Sequence, residues 1–172
     1  DQPRSRGLGD VYKRQLLVLC DTNGASLPED ISAIVKTVVK TFKRVKIGIH
    51  CHDDLGLAVA NTIAAVDAGA THIQGTFLGF GERCGNCNLV TAILDLQLKK
   101  GYDILPEDSI KKFTDTARRI AEITNVRLPK NTPYVGKAAF MHKGGMHGDG
   151  VMKYSPAFEH IDPSVVGNER SF

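Results

Sequence analysis

The segment HCHDD at residues 50–54 carries two histidines one position apart, directly before an acidic pair. On a β-strand, side chains two positions apart point to the same face, so His50 and His52 would face one side and Cys51 the opposite side, into the core. Imidazole suits Zn, Mn, Fe or Ni, and a mixed imidazole and oxygen set suits several divalent ions. The pattern predicts a metal site, with one core and one surface histidine as the alternative. Amidohydrolases share this spacing, so it does not define a reaction.

A second segment with chemical potential is the glycine-rich stretch GFGERCGN at residues 79–86. Such a loop lets the backbone approach a ligand closely. Glu82 and Arg83 could form a plain surface ion pair. Asn86 could cap a following helix, or its amide oxygen could serve a hard metal ion. Cys84 and Cys87 form a CxxC pair, but no second cysteine pair lies at zinc-finger distance, which disfavours a zinc or redox role.

A third candidate segment, HKGGMHGD at residues 142–149, lies far along the chain. His142 and His147 are five positions apart, which is a poor spacing for one helical face. The adjacent glycines predict a loop. A histidine here would be either a general acid/base or a solvated loop side chain.

The elements that must position these residues alternate between strands and helices. Strands are predicted at Leu16–Cys20, Val45–Ile49 and Thr71–Phe77, each followed by a helix, at a repeat of 26–29 residues. A run of such units predicts parallel strands with helices outside. Polar residues follow all three strands, and ligands bind at the carboxyl ends of parallel strands. The candidate residues are therefore expected to converge at one edge of the sheet.

The predicted fold class is α/β. Three units are too few for a complete (β/α)₈ barrel of about 250 residues, so residues 16–102 are interpreted as the C-terminal part of a TIM barrel. A linker helix over 106–124 is expected within residues 103–130, and an irregular subdomain segment over residues 131–172. Residues 1–15 lack helical or strand periodicity and are interpreted as non-native or as a disordered tail.

Composition excludes several classes of function. Hydrophobic residues make up 42% and charged residues 24% of the 172, which is typical of a globular protein. The net charge is only +3, and no basic stripe suggests nucleic-acid binding. No apolar run is long enough to span a membrane. Four cysteines without a signal peptide favour reduced thiols and a cytoplasmic location.

Four motifs together resemble one enzyme family. They are CDTNGASLPED at 20–30, the stretch from IHCHDD to GERCGNCNL at 49–89, AFMHKGGMHGDGV at 139–151, and HIDPSVVGNERSF at 160–172. This chain is similar over residues 16–172 to the 2-isopropylmalate, homocitrate and citramalate synthases. GERCGN, LQLKKGYD and the tail motifs most resemble the (R)-citramalate synthase branch.

The resemblance implies a barrel that binds a divalent metal ion (Mg, Mn or Zn). It implies that His50 and His52 are metal ligands and that Asn86 is a further ligand, with a carboxylate ligand on a first barrel strand outside this chain. Thr22 would bind the carboxylate of a 2-oxoacid. His147 would be an acid/base residue supplied across a homodimer interface.

The resemblance also implies the reaction. These enzymes add acetyl-CoA to a 2-oxoacid in a Claisen-type step and hydrolyse the thioester, as acyltransferases of branched-chain amino acid (isoleucine and leucine) biosynthesis. Pyruvate, giving (R)-citramalate, is the expected substrate. The alternatives are a 2-isopropylmalate or homocitrate synthase, a related acyl-CoA lyase, and a fragment without activity of its own. Phe158 stands where the family often has tyrosine, and no catalytic role is assigned to it.

Overall fold

The computed structural model describes residues 16–172. They form two compact units, the first ending at Ala92 and the second spanning Ile93–Phe172. The interpretation of residues 1–15 as non-native or disordered lies outside the described part of the chain. No helix within residues 16–172 is long and apolar enough to cross a membrane.

The first unit is built on a three-stranded parallel sheet. Its strands are β1 (Leu16–Asp21), β2 (Lys46–Cys51) and β3 (His72–Gln74), in the order β1-β2-β3. All pairings are parallel, which confirms the predicted arrangement. All three strands differ in their bounds from the prediction, β1 by a single residue at its end. Strand β2 continues through Cys51, so His50 lies inside the strand.

Strand β3 ends earlier than the predicted Phe77, and the physical reason lies in the chain that follows it. The Thr76 N–H donates to the carbonyl of Cys87 at 3.0 Å, so this residue bonds to the returning segment instead of continuing the β2–β3 pairing. A short turn at Phe77–Gly79 follows. The segment after β3 is therefore drawn back over the end of the sheet.

Two helices cover this sheet: α1 (Pro28–Thr41) and α2 (Ala58–Asp67). Helix α1 begins with proline and two acids, which suit a first turn because proline lacks a donor and acids favour the positive helix end. The core between sheet and helices combines branched side chains with small residues that allow close approach: Ile31, Val35, Ile47, Ile49, Cys51, Ala58, Ala65, Ala68, Ala70, Cys87 and Ala92.

Helix α3 (Leu89–Leu94) continues as a wider π-helical turn over Asp95–Lys99. Helices α4 (Glu107–Ile110) and α5 (Phe113–Ile123) follow. The sequence predicted one helix over 106–124. This was wrong in one respect, because the structure divides the segment into two helices. The Lys112 N–H donates to the Ser109 carbonyl at 3.1 Å, three residues back, so the helix tightens and breaks there.

The segment at 142–149, expected to be a loop, contains the first half of a helix. Helix α6 spans Gly145–Tyr154 and carries His147. Glycine disfavours a helix by only about 1 kcal/mol per residue relative to alanine, a cost that tertiary packing can override. Val151 of this helix is buried. Short turns at Ser155–Ala157 and Pro163–Val166 complete the second unit.

Candidate active site

His50 and His52 lie together at the carboxyl end of β2. Both side chains are half-buried, while Cys51 between them is fully buried, as the strand alternation predicted. The two imidazole ring centroids are 5.3 Å apart, with the rings edge to face. The His52 N–H donates to the carbonyl of Asp21 at 3.3 Å, which ties the end of β2 to the end of β1.

Asn86 returns to the same strand end, as the sequence predicted. It forms an isolated antiparallel bridge with His52. On either side of this bridge, Cys87 N–H donates to Cys51 O and Asp53 N–H donates to Gly85 O, each at 2.9 Å. Gly85 is required there because its φ is +101° and a Cβ would lie 2.1 Å from the Gly79 carbonyl oxygen.

The Asn86 amide is held in one orientation and leaves its oxygen unpaired. Its Nδ2 donates to the Phe80 carbonyl at 2.8 Å, and its Oδ1 is buried without a hydrogen-bond partner. His52 Nδ1 is buried and unpartnered as well. A buried unpaired polar atom costs about 1–3 kcal/mol of stability. A bound ligand that paired with these two atoms would offset this cost.

The alternative role for Asn86 as a helix cap is wrong. The cap contact belongs to Asn88, whose Oδ1 accepts from the Val90 N–H at 3.0 Å at the start of α3. The Asn86 side chain instead donates through Nδ2 to the Phe80 carbonyl, and its Oδ1 stays unpaired. It is therefore available as a ligand.

The donors at this strand end fit a divalent ion. Residues 16–172 contain no cluster of three or more histidine, cysteine, aspartate or glutamate side chains that could hold a metal. The set present here is two imidazoles and one buried amide oxygen, a mixed nitrogen and oxygen set that several divalent ions accept. The unpartnered oxygen of Asn86 and nitrogen of His52 are the observations that favour a cation.

Arg83 joins all three strand ends, a connection that the sequence did not reveal. Its guanidinium donates twice to the Asp54 carboxylate, at 2.7 and 2.8 Å, and once to the Thr22 carbonyl at 2.9 Å. The pair holds the pKa of Asp54 below its ordinary value. Glu82, which the sequence offered as a possible surface partner, is 3.9 Å away and well exposed, so it contributes little.

Thr22 lies at the same edge, directly after β1. It lines a cavity of about 330 Å³ together with Asp21 and Ser26, among others. Asp21 is buried, and its carboxylate accepts from the Ser26 hydroxyl at 3.1 Å, so it stabilises this turn. Asp53 likewise accepts from the Ala58 N–H at 2.8 Å at the start of α2. These two acids have structural partners.

The four cysteines are free thiols in two distinct environments. Cys20 and Cys84 are exposed, whereas Cys51 and Cys87 are buried. Burial raises the pKa of Cys51 to about 12 and that of Cys87 to about 11. Cys84 and Cys87 thus do not share an environment, and the two buried thiols remain protonated packing groups.

The two tail histidines belong to the second unit. His147 lies on α6 with an exposed side chain, and its ring centroid is 5.6 Å from that of Phe158. His142 precedes the helix and lies 2.9 Å from the Glu159 carboxylate. The structure thus brings together His50, His52 and Asn86 in the first unit and places Thr22 after the neighbouring strand β1, where its carbonyl accepts from Arg83. It sets His142 and His147 in different surroundings.

Comparison with known proteins extends this description. The (R)-citramalate synthase of Aquifex aeolicus is 51% identical over 154 residues, which cover 90% of this chain and 29% of that protein. The 2-isopropylmalate synthase of Bacillus cereus is 38% identical over 155 residues, covering 88% of this chain and 31% of that protein. The chain thus spans about three tenths of the length of the curated relatives it matches.

Among solved structures, the HMG-CoA lyase of Bacillus subtilis matches with a TM-score of 0.59 and 26% identity, covering 70% of this chain and 41% of that one. A family model described as "Homocitrate synthase post-HMGL domain-like" matches residues 134–172. The family model described as HMGL-like matches residues 12–125, about two thirds of the sequence. With its parallel sheet and the convergence of His50, His52 and Asn86 at the carboxyl ends of the strands, the chain belongs to the HMGL-like family.

Proposed function

We propose that this chain is part of an acyltransferase that condenses acetyl-CoA with a 2-oxoacid, with pyruvate as the substrate and (R)-citramalate as the product. The observation that carries the proposal is the juxtaposition of His50 and His52 with the buried, unpartnered oxygen of Asn86. Five (R)-citramalate synthases that are 41–51% identical over about 90% of the chain support this product.

The chain would supply the C-terminal part of a (β/α)₈ barrel, residues 16–102, followed by a linker and the start of a subdomain. The three parallel strands and the match to an HMG-CoA lyase structure support a barrel of this family. In this proposal the remaining strands and a carboxylate metal ligand come from the rest of the protein, so the 172-residue chain alone is inactive.

Three residues of this chain would hold the metal: His50 and His52 through imidazole nitrogens, and Asn86 through Oδ1. A bound divalent ion supplies Lewis acidity toward the keto and carboxylate oxygens of a 2-oxoacid. Thr22 would bind and orient the substrate carboxylate through its hydroxyl. The Arg83–Asp54 pair would keep the Asn86 loop closed over the strand ends.

His147 would move protons in this reaction. Condensation requires removal of a proton from the acetyl methyl group and delivery of one to the new alkoxide, and a positioned imidazole suits either transfer. The exposed side chain on α6 is accessible to an incoming substrate or to another copy of the chain. We propose that it acts across a homodimer interface.

A related acyl-CoA lyase is the second candidate, because HMG-CoA lyases share the fold. The match of residues 134–172 to a homocitrate synthase region favours a synthase. Among synthases, the 38% identity to a 2-isopropylmalate synthase is lower than the 51% to a citramalate synthase. A citramalate product would serve isoleucine biosynthesis.

The test is an assay of the full-length protein that contains this segment. Acetyl-CoA is offered with pyruvate, 2-oxoisovalerate or 2-oxoglutarate, free CoA thiol is followed, and the product is identified by mass spectrometry. Citramalate formed from pyruvate, and lost on chelation of divalent ions, is expected. Isopropylmalate or homocitrate as the main product would contradict the substrate, and cleavage of hydroxymethylglutaryl-CoA without condensation would contradict the reaction.

A further inference from the structure

A buried charged junction lies in the second unit, outside the candidate metal site. The Glu159 side chain is only 3% exposed, and Arg170 donates to both of its oxygens, from Nε at 2.8 Å and from Nη2 at 2.6 Å. His142 Nε2 lies 2.9 Å from the Glu159 oxygen that accepts from Arg170 Nε. Hydrogen bonds from Arg170 are the main cause that lowers the pKa of Glu159, so the carboxylate is ionised and His142 Nε2 carries the shared proton.

This junction closes the chain on both sides of α6. His142 precedes the helix and Glu159 follows it. The contact between the Glu159 carboxylate and His142 therefore links the segment before α6 to the segment after it. The backbone reinforces the closure, because the His142 N–H donates to Ser171 O at 2.9 Å and the Ser171 N–H donates to Phe140 O at 3.0 Å. Helix α6 is therefore held at its base by side chains and by backbone together.

Phe158 carries the effect of the junction to His147. It is the neighbour of Glu159 in the chain, and its ring lies against α6 so closely that a Cβ on Gly150 would be 2.4 Å from Phe158 Cζ. The Phe158 ring centroid is also 5.6 Å from that of His147. The position of Glu159 thus sets the position of the Phe158 ring beside the His147 imidazole.

Stability alone is a weak reason for this junction. Desolvation of buried ions offsets much of their attraction, and well-packed apolar groups of similar volume often stabilise as well. What a bidentate Arg–carboxylate pair adds is geometric specificity. We propose that Glu159 is a positioning residue, whose carboxylate, fixed by Arg170, holds His142 and Phe158 so that the His147 ring keeps one orientation. This inference rests on the proposed acid/base role of His147.

The test compares Glu159→Gln with Asp149→Asn in the full-length protein. Asp149 is a matched control because it lies on α6 itself and forms an exposed salt bridge with Lys153 at 2.6 Å. We expect Glu159→Gln to lower kcat about 10-fold or more, which is part of the 10²–10⁴-fold that a well-positioned acid/base group contributes. The KM for the 2-oxoacid and the metal affinity measured by calorimetry should stay within about 2-fold, and Asp149→Asn should change none of these values.

A double-mutant cycle separates positioning from general damage. In a His147→Gln background, Glu159→Gln should cause no further loss of kcat, since the residue acts only through the imidazole. An equal loss in both backgrounds, an unchanged kcat, or a parallel loss of metal affinity would each overturn the proposal. If Glu159→Gln does not fold, Arg170→Lys replaces it in the same cycle, because lysine keeps the charge and loses the bidentate geometry.

A spectroscopic arm keeps this inference distinct from the proposed reaction. The measurement is the NMR signal of the His147 imidazole ring, assigned by its absence in His147→Gln. This signal should broaden or shift in Glu159→Gln and not in Asp149→Asn. Absence of condensation activity with every 2-oxoacid would refute the proposed function, and the ring signal would still decide the positioning claim. An unchanged His147 signal in Glu159→Gln would overturn that claim whatever the activity.

Discussion

At the scale of single residues, the most informative atoms are those without partners. Asn86 Oδ1 and His52 Nδ1 are buried and unpaired, whereas Asp21 and Asp53 nearby are satisfied by Ser26 and Ala58. Since folded proteins pair nearly all buried polar atoms, an unpaired pair beside a second histidine indicates a ligand position.

Replacing Asn86 by leucine should separate metal binding from stability. The change removes an unpaired buried oxygen together with the hydrogen bond from Nδ2 to the Phe80 carbonyl, which keeps the Thr76 hydroxyl as a donor. The free energy of unfolding of the metal-free protein should therefore stay within about 1 kcal/mol of the parent. The rise in melting temperature on adding Mn²⁺ should disappear. Asn88→Leu is the control. It should lower stability by about 1 kcal/mol through loss of a helix cap and keep the Mn²⁺-dependent rise. A full Mn²⁺ response in Asn86→Leu would contradict the ligand role.

Alanine at His50 or His52 should reduce metal affinity more than about 100-fold, because losses of supporting groups around a ligand already cost 10–100-fold. His72→Ala is the matched control, since this histidine is exposed on the neighbouring strand β3. Calorimetry with Mn²⁺ or Zn²⁺ measures the affinity, and the condensation assay should show loss of turnover in the first two variants only. Near-normal affinity in both would remove the metal role from this pair.

Glu159 makes stability depend on acid pH in a defined direction. Arg170 first, and His142 after it, favour the ionised form and lower the pKa of Glu159 below its ordinary value of 4.5. Its stabilising contribution is therefore complete above pH 4.5 and is lost as the pH falls through the lowered folded-state pKa. The difference in free energy of unfolding between the parent and Glu159→Gln should shrink on acidification. Urea unfolding measured across this range would show it, and a constant difference would contradict it.

At the scale of elements, the loops after the strands, more than the strands themselves, hold the candidate site together. Arg83, from the loop after β3, binds Asp54 after β2 and the Thr22 carbonyl after β1. The loop that carries Asn86 is bonded through its backbone to the end of β2. In the second unit, the turn at Pro163–Val166 packs against α5, where the Thr114 hydroxyl donates to the Val166 carbonyl at 2.7 Å.

Gly167→Ala should be among the most destabilising single changes in the second unit. Gly167 has a φ of +68°, and a Cβ would lie 2.2 Å from the Lys111 carbonyl oxygen at the break between α4 and α5. We expect a loss of about 2–4 kcal/mol, combining backbone strain and steric overlap. Gly145→Ala, with nothing within 4 Å of its Cβ, should be neutral or stabilising. Equal melting temperatures for the two variants would refute this packing.

At the scale of the whole molecule, the candidate metal ligands belong to one compact unit and His147 to the other. This division makes the proposed action of His147 across a dimer testable without further structure. Inactive His50→Ala and His147→Ala full-length proteins, mixed under conditions that allow subunit exchange, should regain part of the activity, because a mixed dimer contains one intact site. If mixed dimers form by native mass spectrometry and no activity returns, His147 does not act in trans.

The sequence by itself determined the parallel order of the strands and the meeting of His50, His52 and Asn86. These follow from local rules: alternation on a strand, helical periodicity, and the fact that parallel strands end at the same edge. It also placed Cys51 in the core for the same reason. A pattern with a short period is readable from neighbouring residues alone.

Only the tertiary structure decided the partners of the polar side chains and the form of the tail. Arg83 binds Asp54 much more closely than Glu82, Asn88 takes the cap that Asn86 could have formed, and Glu159 meets Arg170 and His142. His147 lies on a helix despite its glycines. Each outcome depends on residues distant in sequence, and a weak local preference of about 1 kcal/mol yields when packing and buried hydrogen bonds supply more.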